Sequence, residues 1–398
     1  MTWPDSLFPA ELREQLLNLR HDLHRTPELS FQEERTAERL HHELAALNPV
    51  ELARIAGTGV IARIRGEDPK APVVALRGDI DALPIQEATG LPYASERDGV
   101  MHACGHDVHA TWTVGAAHLL TQQPAAGDVL ILLQPGEETG RGALAVLESG
   151  VLNGAAAIFG AHVDRRFLVG QVVAQAGPLA AAADSFAIEL EGRGAHGARP
   201  HEGIDPIVGA GALIGALQTI VSRRLSPGTP GVVSIGVVRA GTAPNVIPDT
   251  ATLEGTLRSL DPETRKLLHE ELELVVERTA QAHGLESRLE LKLGPPPIVN
   301  QTRLVEWARQ AVRSVIGDEA LVPLGSPNMG GEDFAYYLER FAGCFFRVGA
   351  REDGGEFIPA HSPRFYAADE SIFAGAAVLA ETARIAANSL SATPTPSG

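Results

Sequence analysis

VVALRGDID at residues 73–81 and VLILLQPGEE at residues 129–138 share one construction: consecutive apolar residues that break abruptly into carboxylates. Apolar side chains on successive positions suit a strand covered on both faces, as in parallel sheets. In open α/β sheets ligands bind beyond the carboxyl ends of such strands, so the polar residues ending each run are the ones to collect. The same pattern predicts strands at 58–64 and 156–162 and amphipathic helices at 10–24 and 31–47, which makes the first part of the chain an α/β sheet.

From about residue 178 the periodicity changes. A strand at 184–191, a helix at 203–222, strands at 231–239 and 250–258, a helix at 262–283 and a strand at 287–293 give the β-α-β-β-α-β order of a ferredoxin-like unit. Pro295-Pro296-Pro297 forms a stiff exit. A helix at 303–316 and an apolar strand at 344–349 then resume the earlier style. The expected organisation is one domain from 1–177 and 297–398, interrupted by an inserted α+β domain at 178–296. The tail after Asn388, rich in Ser, Thr and Pro, is expected to be disordered.

A chain of 398 residues exceeds what a single core usually supports, in agreement with two domains. With 33 Lys and Arg against 50 Asp and Glu, the formal charge of −17 opposes a broad phosphate-binding surface, so no nucleic-acid partner is expected and a small-molecule substrate is. The N-terminus lacks the basic and apolar segments of a secretory signal, and no stretch reads as a membrane span, so the expected location is cytoplasmic with no membrane partner. Cys104 and Cys344 are too few for a disulfide framework and read as thiols with local roles, a single bridge between them remaining open. Gly209, Gly211 and Gly215 have the wrong spacing and setting for a dinucleotide loop, and no Gly-x-Ser-x-Gly is present.

Four segments qualify for chemistry. Asp79 and Asp81 follow the strand at 73, and two residues apart they face one side of extended chain. Glu137 and Glu138 follow the strand at 129, and His162 ends the run at 156. The fourth is the loop-like MHACGHDVH at 101–109, dense in metal-ligand types. Taken singly, each has a plainer explanation: a buried thiol, a hydrogen-bonded core histidine, a helix cap, a solvated turn. Together they form a divalent-metal set, and the glycine between Cys104 and His106 permits the bend that aims both at one centre. Two adjacent glutamates suit a division of labour in which one binds metal and the other moves protons. Because a divalent ion can bring the pKa of water down to about 7, this is a way to hydrolyse an amide without a covalent intermediate.

These residues resemble the dinuclear metallopeptidase superfamily of aminoacylases and carboxypeptidases, specifically its amidohydrolase branch of hippurate hydrolases, N-acyl-amino-acid amidohydrolases and auxin-conjugate hydrolases. The resemblance spans nearly the whole chain through RGDIDALP (77–84), CGHDVH (104–109), QPGEE (134–138), GAH (160–162), GAHGARP (194–200), APNVIP (243–248), GGEDF (330–334) and the late His361. It implies a zinc-peptidase-like catalytic domain with a mixed, mostly parallel sheet, and an inserted lid and dimerisation domain that makes a homodimer. It also implies two divalent ions per subunit. Cys104 bridges them, and His106, Glu138, His162 and His361 complete the ligand shells. Glu137 is the implied general base, with Asp79 and Asp81 orienting the ligands.

By the same resemblance His196 reaches a partner subunit's active site and donates to the oxyanion, and Asn245 and Arg258 hold the substrate carboxylate. Without it, these three read as a loop histidine, a turn asparagine and a strand-edge surface arginine. His109 and His201 receive no catalytic role and read as hydrogen-bonding groups. A thiolate suits zinc, whereas the branch is often associated with manganese; cobalt and nickel stay open. The implied reaction is amide hydrolysis of an N-acyl amino acid or a similar conjugate. A dipeptidase or aminopeptidase on the same scaffold is the alternative, and a catalytically silent metal- or ligand-binding protein is a third reading, opposed by the intact Glu137-Glu138 pair.

Overall fold

The computed structural model describes residues 6–392. The chain forms two compact units: 1–177 with 300–325 and 336–398, and 178–299 with 326–335. In chain order the first unit supplies helices α1 (Ala10–Arg25) and α2 (Glu34–Ala45), strands β1 (Glu51–Ile55), β2 (Gly59–Ile64) and β3 (Val73–Asp79), helix α3 (His106–Gln122), strand β4 (Val129–Gln134), helix α4 (Gly142–Ser149), and strands β5 (Ala155–Leu168) and β6 (Val172–Val173). The second unit supplies β7 (Ala182–Glu191), α5 (Pro206–Thr219), β8 (Gly231–Ala240), β9 (Thr250–Ser259), α6 (Pro262–Ala282) and β10 (Glu286–Lys292). The chain returns to the first unit with α7 (Thr302–Val315), β11 (Gly343–Arg351) and α8 (Ser371–Ser391).

The first sheet has the order β1-β2-β4-β3-β5-β11-β6. Its centre is parallel (β4 with β3, β3 with β5, β5 with β11), and antiparallel strands flank it on both sides. All six residues of β4 are buried, as the unbroken apolar run requires of a strand covered on both faces. Amphipathic α1 turns Leu12, Leu16, Leu19 and Leu23 inward at helical spacing.

Two helices escape that reading. α3 buries most of its residues from His106 to Leu120, and α8 buries most of its own, so neither has a polar stripe to reveal its period. They pack on each other through small residues. A side chain at Gly115 would come within 2.9 Å of the Ala376 methyl, and one at Gly375 within 2.2 Å of the Trp112 ring.

The second unit is a four-stranded antiparallel sheet ordered β8-β9-β7-β10, with α5 and α6 on one face, which is the ferredoxin-like arrangement. β7 alternates buried with less buried residues, and Phe186, Ile188 and Leu190 meet Leu213, Leu217, Leu268 and Leu272 in its core. Asp205 caps α5 by accepting from the Ile207 N–H, with Pro206 at the first helical position.

Several expectations need correction. The stretch 101–109 is a loop only as far as Gly105, because α3 begins at His106. Residues 326–335, assigned to the first domain from sequence, cluster with the second unit, where the Ala181 N–H donates to the Gly330 carbonyl. The tail is helical through Ser391, and 393–398, where its disorder was expected, lie outside the described residues. One helical stretch, Pro206–Arg224, does have the length and mean hydropathy of a membrane span, although Leu213, Leu217 and Ile220 are spent on the second unit's core.

Candidate metal centre

The carboxyl ends of the parallel strands deliver the site within the first unit. β3 ends on Asp79, with Asp81 just beyond; β4 runs out into Gln134, Gly136, Glu137 and Glu138; β5 carries His162; Cys104 and His106 flank the start of α3. Two glycines make the turns. Gly105 has φ +90°, and a side chain there would come within 2.5 Å of Val163. Gly136 has φ +68°, and a side chain there would come within 2.6 Å of the Phe31 ring.

The Cys104 Sγ lies 3.2 Å from His162 Nε2. His162 Nδ1 lies 2.7 Å from the Val163 carbonyl, which can only accept, so this nitrogen carries the proton and Nε2 turns a lone pair to the sulfur. His106 is oriented the same way, with Nδ1 3.0 Å from Asp81 Oδ1. Its Nε2 is buried without a hydrogen-bond partner, 3.8 Å from Glu138 Oε1 and 3.9 Å from Glu137 Oε2. His361 completes the cluster with Nε2 3.6 Å from Glu138 Oε2. Cys104, His106 and His162 form one group whose ligand atoms all lie within 4.8 Å of one another; Cys104, Glu138 and His361 form a second, and His106, Glu137 and Glu138 a third.

The electrostatics call for a cation. Burial, together with the Glu138 charge, pushes the Cys104 thiol up. Burial also raises Glu138 to about 7, with Asp81 and Asp79 adding to the shift against His106. His162 is held well below the ordinary imidazole range by burial, aided by His109 and Arg347. Glu138 Oε1 and His106 Nε2 are both orphaned buried atoms, and an unpaired buried polar group is costly. One thiol, three imidazoles and a carboxylate aimed at common points therefore fit divalent ions, and the orphaned atoms are the observation that carries the fit.

Asp79 and Asp81 stand behind the donor atoms. Asp81 accepts from His106, from the Ser30 hydroxyl at 2.7 Å and from the Glu138 N–H at 2.9 Å. Asp79 is wholly buried, which alone raises its pKa, yet Arg77, His106 and His109 hold it well below the usual carboxylate range. His109 uses both ring nitrogens: Nδ1 meets Asp79 Oδ1 at 2.6 Å and Nε2 accepts from the Val163 N–H at 2.9 Å. It is occupied as a hydrogen-bonding strut.

Sequence reading missed the supports. Glu33 accepts from the Gly136 N–H at 2.9 Å and so fixes the loop that carries Glu137. Arg77 and Tyr337 both donate to Gln134 Oε1 at 2.9 Å. Arg20 and His24 each meet Asp107 Oδ2 at 2.9 Å, beside His106. A charge on the apolar side of α1 was the available signal for Arg20, and Glu33 lies just before α2, but partners 87 and 103 residues distant leave no local pattern.

In the second unit, His196 lies in the two-residue strand Ala195–His196, paired with Val246–Ile247. Its Nδ1 accepts from the Ala198 N–H at 3.0 Å, and the Gly197 N–H donates to the Asn245 carbonyl at 2.8 Å, so His196 and Asn245 are neighbours. Arg258 lies on β9, an interior strand between β8 and β7 and not the edge its plainer reading supposed, and it has no ion-pair partner among the described residues. His201 is exposed in the short turn Pro200–Glu202.

The profile of Peptidase family M20/M25/M40 matches residues 75–385, which spans every candidate metal ligand. The chain belongs to this family. It is 42% identical over 381 residues to an N-acetyl-L-cysteine deacetylase of Bacillus subtilis (strain 168), covering 94% of this chain and 89% of the relative. It is 36% identical to the IAA-amino acid hydrolase ILR1-like 2 of Arabidopsis thaliana, covering 94% and 85%. Among solved structures, the YXEP protein of Bacillus subtilis, described as a dinuclear metal-binding peptidase from the M20 family, superposes with a TM-score of 0.84 at 38% identity, covering 94% of this chain and 98% of that one. A putative aminohydrolase from methicillin-resistant Staphylococcus aureus gives 0.89 at 32%, covering 93% and 96%. This M20 chain is a metal-dependent amidohydrolase with a mostly parallel catalytic sheet and an inserted α+β unit.

Proposed function

We propose that the protein hydrolyses the amide bond of N-acyl amino acids or similar small conjugates, and that Cys104, His106, Glu138, His162 and His361 would hold two divalent ions. The support is the convergence of these side chains on common points with His106 Nε2 and Glu138 Oε1 unpartnered, together with relatives named for deacetylation and amino-acid conjugate hydrolysis. When bound, the ions supply Lewis acidity, acidifying water and polarising the amide carbonyl. Zinc suits the thiolate and imidazole donors best, and manganese, which favours carboxylate oxygen, is the second candidate.

Glu137 takes the proton of the attacking water and returns it to the leaving nitrogen; it faces His106 Nε2 at 3.9 Å, beside the cluster. Asp81 and the Val163 carbonyl fix the tautomers of His106 and His162, leaving their Nε2 lone pairs free for metal. Asp79 orients His109 and balances Arg77. His196 of a partner copy donates to the developing oxyanion, and Arg258 with Asn245 receives the substrate carboxylate, a part suited to a guanidinium without an internal ion pair. A homodimer through the second unit suits the exposed Ile207 and Val208 of α5 and Val238 of β8. Reduced, buried Cys104 and Cys344 accord with a cytoplasmic location.

The test is Glu137→Gln assayed on an acetyl- or benzoyl-amino acid and on a dipeptide. The variant is expected to fold and bind metal while kcat falls by about a hundredfold or more. Near-normal turnover refutes the assignment of the base, and a wild-type preference for substrates with a free α-amino group favours the dipeptidase alternative.

A further inference from the structure

Between β11 and α8 the chain makes a long excursion without helix or strand, closed at its base where the Ala368 N–H donates to the Ala350 carbonyl at 2.9 Å. His361 lies within it. It is one of four non-glycine residues with positive φ among the described residues, at +65°, and its backbone N–H donates to the Ala103 carbonyl at 2.8 Å. A backbone in that region persists only where its surroundings hold it. Its apolar anchors are Ile358, Phe365 and Ala367, which join the core of the first unit with Tyr366 against them, while Phe357 is exposed.

Besides these contacts and the bond from the Ala88 N–H to the Pro363 carbonyl at 2.8 Å, a single cation draws the stems together. The Arg165 side chain is fully buried on β5, three residues past His162. Its Nη1 donates to the Ala350 carbonyl at 3.2 Å, the Tyr366 carbonyl at 3.1 Å and Glu352 Oε2 at 3.0 Å, and its Nη2 donates to the Glu356 carbonyl at 2.7 Å. The guanidinium also lies 4.2 Å from the centre of the Tyr366 ring, whose hydroxyl donates to Glu352. Both stems and the middle of the loop thus converge on one planar fork, a geometry lysine cannot reproduce. The strand that presents His162 from one position holds, from another, the loop that presents His361.

We propose that Arg165 is a positioning residue for the metal centre, clamping the loop at 350–368 in the shape that brings the His361 imidazole to Cys104 and Glu138. The inference rests on the reading of His361 as a ligand. Its expected signature is selective: a loosened clamp weakens the ion that needs His361 and spares the ion held by Cys104, His106 and His162.

The test uses the full chain, stripped and titrated with zinc or manganese, with bound metal counted by elemental analysis and affinities read by calorimetry. Arg165→Met and His361→Ala are each expected to keep one tight ion and to bind the second at least tenfold more weakly. Arg165→Lys should fall between wild type and Arg165→Met. The double variant should be no weaker than His361→Ala alone, because both changes remove the same contribution. Glu352→Ala loosens the clamp from its more exposed side, and a weaker second ion in that variant keeps the proposal testable if Arg165→Met does not fold. Wild-type affinity for both ions in Arg165→Met overturns the proposal, as does an additive loss in the double variant. Retention of both ions by His361→Ala overturns the ligand assignment itself, which separates the two failures.

Discussion

At the scale of residues, the centre is built from short-range geometry that the sequence displays and from long-range supports that it hides. The bend between Cys104 and His106 was legible from the glycine that separates them, and Gly105 has φ +90°. Glu33, Arg20 and Arg165 were not legible, since each is a charged residue whose partners lie far along the chain. Gly136 tests how tightly the Glu137 loop is held. Alanine there meets both a left-handed backbone and the Phe31 ring, so Gly136→Ala is expected to cost about 1 kcal/mol or more of stability and to lower kcat by displacing Glu137. Chemical denaturation and steady-state kinetics check both effects, and an unchanged kcat contradicts the role given to the turn.

At the scale of elements, strands and amphipathic helices announced themselves by period, whereas α3 and α8, buried nearly all round, did not. β1 was also missed, because Glu51-Leu52-Ala53-Arg54-Ile55 sets its charges three residues apart and shows no alternation before the hairpin into β2. Within the second unit, Asp184 ties β7 to α6: Arg265 donates to both of its oxygens at 2.6 and 2.8 Å, and His269 lies 2.7 Å away. Burial alone would raise the Asp184 pKa, but Arg265 and His269 lower it below the usual 3.8. A depressed carboxylate pKa contributes stability that is complete above 3.8 and is lost as the pH falls through the folded-state value. Asp184→Ala is therefore expected to cost about 3 kcal/mol near neutral pH, as breaking a buried pair does, with a gap to wild type that narrows in acid. Urea denaturation at pH 7 and pH 3 measures this, and a gap independent of pH contradicts it.

At the scale of the whole molecule, the candidate metal cluster makes stability a function of metal. Ions that bind only the folded chain stabilise it by mass action, so chelation is expected to lower the melting temperature and zinc or manganese to restore it. The β-α-β-β-α-β unit was legible as a separate body because its period differs from that of its flanks; the passage of 326–335 into that unit was not, since ten irregular residues carry no period. The most direct test of the account is X-ray absorption at the metal edge of zinc-loaded protein. It predicts about two zinc ions per chain and a sulfur scatterer near 2.3 Å that survives Cys344→Ser and disappears in Cys104→Ser. Zinc bound with only nitrogen and oxygen neighbours in the wild-type protein, or a sulfur signal unaffected by Cys104→Ser, contradicts it.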